Sequence, residues 1–369
     1  MAADESEQPL WLAPDLFPPK PTPSPYGVIV GKGKLREFST LEELADYVGS
    51  ARNSVAVIWT PTSERTMPVE GEPELVEALR RRDRRIAEVN LSNAKRNCLI
   101  FGAVFAWAVV AAWMNRQHVP VLENQNLGLA GLLFFWLAGV PLYEAGKQRR
   151  EASRLDRAAM EASDREARFE FWLSLQRMPF TMVLLGMLVV VSAGQVLIGQ
   201  GLEWTESCLK AGLLKQDLEL EPGVFFSGGY LNGEYWRLWT GPLLHGNLLH
   251  LGMNGLALWF LGRRAEALAG WPHLVMSYLA ALWIGGLTSI YLLPDKLSVG
   301  ASGGIMGLLG FLLVFETLHA KLVPRRARKR LVFAAGVMFL IGFVGYSFID
   351  NAAHAGGMAA GMAYALVVF

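Results

Sequence analysis

The sequence predicts an all-α polytopic membrane protein, a six-helix bundle preceded by two extra transmembrane helices and a small N-terminal α+β cytosolic domain. Three observations predict it. Of 369 residues, 52% are hydrophobic and 12 are Trp, too apolar for one soluble domain and long enough for a bundle plus a module. Hydropathy divides the chain into a water-soluble front and a rear of eight apolar segments, each of roughly 17–20 residues, as a ~30 Å hydrocarbon layer requires. Lys and Arg gather in alternate connections between those segments.

Residues 1–25 form an acidic, Pro-rich leader, expected to be disordered. It has no positive n-region and no apolar core, so it is not read as a signal peptide, and the first membrane helix does its own targeting. Residues 26–96 make the small cytosolic domain. Within it, 26–31 read as a strand and 41–48 as a helix, capped by Ser39 or Thr40 and stopped by Gly49. Residues 55–60 read as a second strand, and 74–85 start a long basic helix. No chemistry is recognisable here, which leaves a regulatory or docking module with an unknown cytosolic partner.

The apolar segments are 98–114, 127–143, 180–198, 243–261, 274–293, 299–318, 331–349 and 352–369. The first two are the extra helices (97–145), a charged cytosolic linker follows (146–178), and 179–369 is the six-helix core. Basic residues crowd 80–96, the linker, Arg263–Arg264 and 321–330, whereas the long 201–240 loop and the other alternate connections are poor in them. Both termini are therefore expected in the cytoplasm. A net charge of +1 gives no support for nucleic-acid binding. Cys98 and Cys208 fall in different layers, so no structural disulfide is expected, and no Cys-x-x-Cys pattern suggests a metal.

With that topology, segments four, six and eight start at the outer face. His245 and His250 lie in the first turns of segment four, Ser302 near the start of six and His354 near the start of eight. Polar groups are costly in hydrocarbon, so four at one shallow depth point to a task. His250 and Asn254, four apart, share a helix face, whereas His245 and His250, five apart, diverge by about 140°. That spacing, without a matching carboxylate, argues against a metal centre; no cofactor is implied.

Ser302 and His354 supply a nucleophile and a base, since a serine hydroxyl becomes reactive when a neutral imidazole takes its proton. His250, Asn254 and the Ser302 N–H suit the donors that an oxyanion needs. Gly300 and Gly303 let backbone approach a substrate closely. No aspartate is placed to orient His354, Asp350 lying towards the outer loop, so a dyad is expected. Gly303-x-x-x-Gly307 and Gly357-x-x-x-Gly361 would let the two helices approach closely and bring Ser302 and His354 within hydrogen-bonding reach. Glu266 and Glu316 are expected to bond neighbouring helices or face the inner interface. Singly, a Gly-x-Ser-Gly or a membrane histidine is most often packing; the joint order and depth reverse that.

These residues resemble the rhomboid intramembrane serine proteases. Glu234-Tyr235-Trp236-Arg237 resembles the family's Trp-Arg loop motif, and His245 through Asn254 its His-x4-His-x3-Asn helix. Gly300-Ala-Ser302-Gly303 is similar to the nucleophile motif, and Asn351-Ala-Ala-His354-Ala-Gly-Gly357-Met-Ala-Ala-Gly361 to the terminal catalytic helix. The resemblance covers about 180–369. It implies Ser302 as nucleophile, His354 as base, His250 and Asn254 as oxyanion donors, and His245 as a hydrogen-bonding helper. It implies Trp236 and Arg237 as braces of the long loop and Glu266 as an acidic packing residue. Met306 stands where many relatives place an aromatic ring on the catalytic histidine.

The expected function is intramembrane cleavage of membrane-anchored protein substrates near the outer face, the site opening to the extracytoplasmic side. The expected partners are transmembrane protein substrates and the bilayer, not nucleic acid. The alternative is a catalytically inactive rhomboid-like protein that binds transmembrane helices. A transporter would want polar groups through the mid-membrane, and those here are confined to the outer half.

Overall fold

The computed structural model describes residues 9–30, 33–51, 57–121, 124–198, 204–221, 224–346 and 349–369. At the front, β1 (Tyr26–Val30), β2 (Lys34–Phe38) and β3 (Val57–Trp59) form an antiparallel sheet in the order β2-β1-β3. Gly31 and residues 55–56, parts of the two expected strands, lie outside the described residues. β2 was not expected: its charged, exposed side chains carry no buried face, and only pairing with β1 makes it a strand. α1 (Leu41–Ser50) starts where Thr40 accepts the Glu43 N–H at 3.2 Å, while the Glu43 carboxylate accepts the Ser39 N–H at 2.8 Å. Gly49 does not stop it; the helix runs through that residue to Ser50. Val28, Leu44, Val48, Ile58, Leu75 and Leu79 close the module's core.

The leader departs from the expected disorder. Residues 1–8 lie outside the described residues, but Leu10–Leu12 form a 3-10 turn and Trp11 is buried. Its indole Nε1 donates to Leu322 O at 2.8 Å, and its ring stands edge-on to Phe169. Further on, Phe17 stacks on Phe171. An acidic, Pro-rich stretch still orders when one large aromatic finds a pocket elsewhere in the chain.

The basic helix and the first apolar segment are one helix, α2 (Val76–Met114), whose 39 residues extend about 58 Å. The second segment is interrupted. α3 (Gln125–Phe134) passes through a π segment, Phe135–Gly139, into α4 (Val140–Ser153). Pro141 explains the break: it has no N–H to give the Leu137 carbonyl four residues back, and its ring crowds that carbonyl. Asn97 of α2 takes up the vacant acceptor, its Nδ2 donating to Leu137 O at 2.9 Å.

α5 (Arg157–Leu175) is capped by Asp156, whose Oδ1 accepts the Ala159 N–H at 2.7 Å. The core follows: α6 (Pro179–Ile198), the short α7 (Thr205–Ala211), the hairpin β4 (Leu218–Glu221) and β5 (Val224–Phe226), then α8 (Arg237–Thr240). α9 (Leu248–Ala269), α10 (Trp271–Leu292), α11 (Ser302–Leu318), α12 (Arg325–Val344) and α13 (Asn351–Val368) complete it. α11 is the hub, packing on α9, α10, α12 and α13 around Leu308, Phe311, Leu312 and Phe315.

Pro73–Met114, Asn126–Ser153, Pro179–Leu197 and Trp271–Leu292 are long and apolar enough to cross a bilayer, and the chain is an integral membrane protein. α11 is apolar but has 17 residues. Segment four is displaced from its expected bounds of 243–261. Pro242 sits in a 3-10 turn, Asn247 caps α9 by accepting the His250 N–H at 2.9 Å, and the helix ends at Gly270, whose φ is +89°. His245 therefore lies in the connection before the helix and not in its first turn. Helical periodicity therefore does not set its direction relative to His250.

Candidate active site

Gly300 turns the chain into α11 with φ +112°, a conformation that side-chain-bearing residues rarely adopt. Space forbids a side chain there as well, because an added Cβ would stand 2.7 Å from His250 Cε1 and 3.2 Å from Asn254 Nδ2. Gly300 is thus held against the His250 ring and the Asn254 amide, two residues before Ser302. Ala301 provides no side-chain cap for α11. The N–H groups of that first turn, including that of Ser302, therefore receive no side-chain cap from Ala301.

His250 and Asn254 share one face of α9, as the spacing predicts. His245 is fully buried, its backbone clamped by Gln195 of α6: Gln195 Oε1 accepts the His245 N–H and Gln195 Nε2 donates to His245 O, both at 3.0 Å. The His245 ring stands edge-on to His250 at 5.2 Å, its Nε2 3.1 Å from Asn254 Nδ2 and its Nδ1 3.4 Å from Ser192 Oγ. One amide hydrogen of Asn254 is engaged by His245 and the second is left over. Gln195 was not singled out from the sequence, although a lone amide in an apolar run was the signal.

His354 occupies the first turn of α13, which Asp350 caps by accepting the Ala353 N–H at 2.9 Å. The two glycine grooves interlock: a Cβ on Gly357 would overlap Gly303 O, and one on Gly361 would overlap Gly307 O. A Cβ on Gly303 would lie 3.6 Å from Ala353 O, so the residue after Ser302 faces the residue before His354. Ser302 and His354 stand in the first turns of these two adjoining helices, and among the described residues no hydrogen bond joins the Ser302 hydroxyl to the His354 ring. Met306 is half-buried against the core.

The supporting residues are tied in. Arg237 is buried; its Nε meets Glu234 Oε2 at 2.6 Å and its Nη1 donates to Leu209 O and Gly212 O at 3.0 and 2.8 Å. Trp236 lies under the Arg237 guanidinium at 4.7 Å and keeps its other side exposed. Hydrogen bonding from Arg237 holds the Glu234 carboxyl below the usual range. Glu266 accepts from Phe180 N, Thr181 N and Thr181 Oγ1 at 3.0, 2.8 and 2.6 Å, capping α6, and Glu316 receives Arg264 at 2.5 and 2.8 Å. Both carboxylates bond neighbouring helices, as expected.

A cavity of about 30 Å³, room for one or two waters, is lined by Gly300, Ser302, Gly303, Ser298, Asp350 and Ala353 among others. Behind it lies Lys215, which the sequence reading passed over. Burial draws this lysine down to about 8, and the nearby Asp350 carboxylate opposes that fall. A hydroxyl and an imidazole on adjacent helix starts, near the His250 and Asn254 side chains and a small hollow, are groups that acyl transfer can use.

Residues 232–369 match the family model described as Rhomboid domain. Over 129 residues the chain is 37% identical to rhomboid protease GluP of Bacillus subtilis, covering 35% of this chain and 25% of that protein. Over 135 residues it is 33% identical to RHOMBOID-like protein 4 of Arabidopsis thaliana, covering 37% of this chain and 34% of that one. Inactive rhomboid protein 1 of Rattus norvegicus is 34% identical over 131 residues, 35% of this chain and 15% of the relative. The match thus spans about a third or less of each of these relatives' length. The chain carries, over residues 232–369, a region that matches the Rhomboid domain, and that region holds every site residue named above from Glu234 onward. The matched region begins after α6, later than the 180–369 span of the expected resemblance.

Proposed function

We propose that this protein is an intramembrane serine endopeptidase that cleaves membrane-anchored proteins near the outer face of the bilayer. Its termini lie in the cytoplasm and its site opens to the extracytoplasmic side. Ser302 Oγ attacks the scissile carbonyl, and His354 takes the hydroxyl proton and later delivers it to the leaving amine. The Ser302 N–H, His250 and Asn254 hold the oxyanion. Trp236 and Arg237 brace the first outer loop, and the glycine contacts of α11 with α13 keep nucleophile and base on adjoining helices. A peptide bond inside an intact helix is shielded by sterics and hydrogen bonding, so the substrate segment unwinds before attack.

The observation that carries this reading is Gly300, pressed against both His250 and Asn254 two residues ahead of Ser302. The test is cleavage of a model transmembrane substrate by purified protein in lipid. Ser302→Ala and His354→Ala are each expected to lower turnover by at least about 10³-fold. Wild-type-like cleavage by Ser302→Ala overturns the assignment. A second reading, a rhomboid-like binder of transmembrane helices without activity, draws on the similarity to inactive rhomboid protein 1. Labelling of Ser302 by a fluorophosphonate separates the two, since binding alone requires no activated hydroxyl.

A further inference from the structure

Lys215 is a cation with no exposed side-chain surface, in a loop where lysines ordinarily stand in water. Its Nζ donates to Leu293 O at 2.9 Å and to Ser298 Oγ at 3.0 Å, and lies 4.0 Å from Asp350 Oδ2. The same Asp350 oxygen accepts from both Ser289 Oγ and Ser298 Oγ, which are 3.1 Å from each other. Backbone completes the knot: Leu213 and Ser298 exchange N–H···O bonds at 2.9 and 3.1 Å, and the Leu231 N–H donates to Lys215 O at 2.9 Å.

Four chain segments meet in this cluster: the first outer loop, the end of α10, the stretch leading into α11 and the cap of α13. Ser298 stands four residues ahead of Ser302, and Asp350 four ahead of His354. Asp350 also caps α13 through its other oxygen, so a movement of its carboxylate is a movement of the turn bearing His354. Ser298 lies on the stretch that enters α11 through Gly300, two residues further on.

We propose that Lys215 and Asp350 form a buried clasp that positions the starts of α11 and α13 relative to each other, making both positioning residues for the Ser302–His354 pair. The inference rests on the protease reading above for its kinetic consequence, not for its structural one. Removing one member of a buried ion pair strands the other, whereas removing both charges together relieves that cost. The clasp therefore predicts a coupled pair and not two independent sites.

The experiment uses full-length protein in lipid nanodiscs with Lys215→Met, Asp350→Asn and the double variant. Cleavage kinetics are measured together with the ring resonance of His354, assigned by its loss in His354→Gln. Lys215→Met is expected to lower kcat about tenfold or more with KM nearly unchanged, and to shift the His354 resonance. The double variant is expected to return kcat to within about threefold of wild type and the resonance to its original place. Asp350→Asn keeps the acceptor for the Ala353 N–H and carries the same single-variant expectation where Lys215→Met does not accumulate. Unchanged kcat and resonance in the single variants, or a double variant no better than either single, overturns the clasp. Should the wild type itself cleave nothing, the protease reading fails, and the His354 resonance still decides the clasp.

Discussion

The Asn254 amide nitrogen donates to the His245 ring and lies beside Gly300. In the proposed protease mechanism, Asn254→Ala removes an oxyanion donor, and it strands the His245 nitrogen. It is expected to lower kcat by about 10²–10³-fold, equivalent to about 2.7–4 kcal/mol, with the fold intact by thermal unfolding. Ser302, His354, His250 and Asn254 could be picked out as candidates because each is a polar residue in an apolar run, and the structure sets Gly300, ahead of Ser302, against His250 and Asn254. Lys215 and Asp350 were not legible as a pair. A lysine in a polar loop reads as solvated, and no local pattern links it to an aspartate 135 positions later. Asn247 was legible in principle, as an Asn directly before an apolar helix, but the apolar run begins earlier at Leu243 and hid the boundary.

Among the elements, α11 and α13 touch through carbonyls that leave no room for a Cβ at Gly357. Gly357→Val is expected to part the two helices, reducing turnover and lowering stability by at least about 1–3 kcal/mol, as overpacking does. Turnover assays in membranes and thermal unfolding check both; unchanged turnover would remove the packing argument. The small-residue spacing made this contact readable from sequence. The π segment was less so. Pro141 signalled a break in the second apolar run, but the rescue of Leu137 O by Asn97 depends on how α2 crosses α4, which periodicity does not encode. Asn97→Ala is expected to cost about 0.5–1.5 kcal/mol, the ordinary net worth of one such bond, read as a lower unfolding midpoint.

At the scale of the molecule, the N-terminal module and the membrane core are joined at the turn between α11 and α12. Trp11 packs there with Phe169, Leu173, Val323 and Ala327, and α5 reaches α12 through Glu166 and Arg330 at 2.7 Å. Burial raises the Glu166 carboxyl while Arg330 and Arg326 counter it. Trp11→Ala is expected to destabilise this joint by about 3–5 kcal/mol, since it empties a tight aromatic site and frees the Leu322 carbonyl. Limited proteolysis checks this through faster cutting ahead of β1. Composition alone assigned this stretch to disorder, because a single tryptophan gives no hint of a distant pocket.

α2 runs unbroken from the sheet module to the far end of the first apolar segment. Such a rod is stiff in torsion, and it carries two keyed surfaces: Leu79 and Arg82 towards the module, Ala94 and Asn97 towards α4. Its phase is therefore a mechanical constant of the protein. One alanine spliced in near residue 88 would twist the two keys apart by about 100°. A twist imposed on the module from outside would, for the same reason, be passed along α2 towards the bilayer.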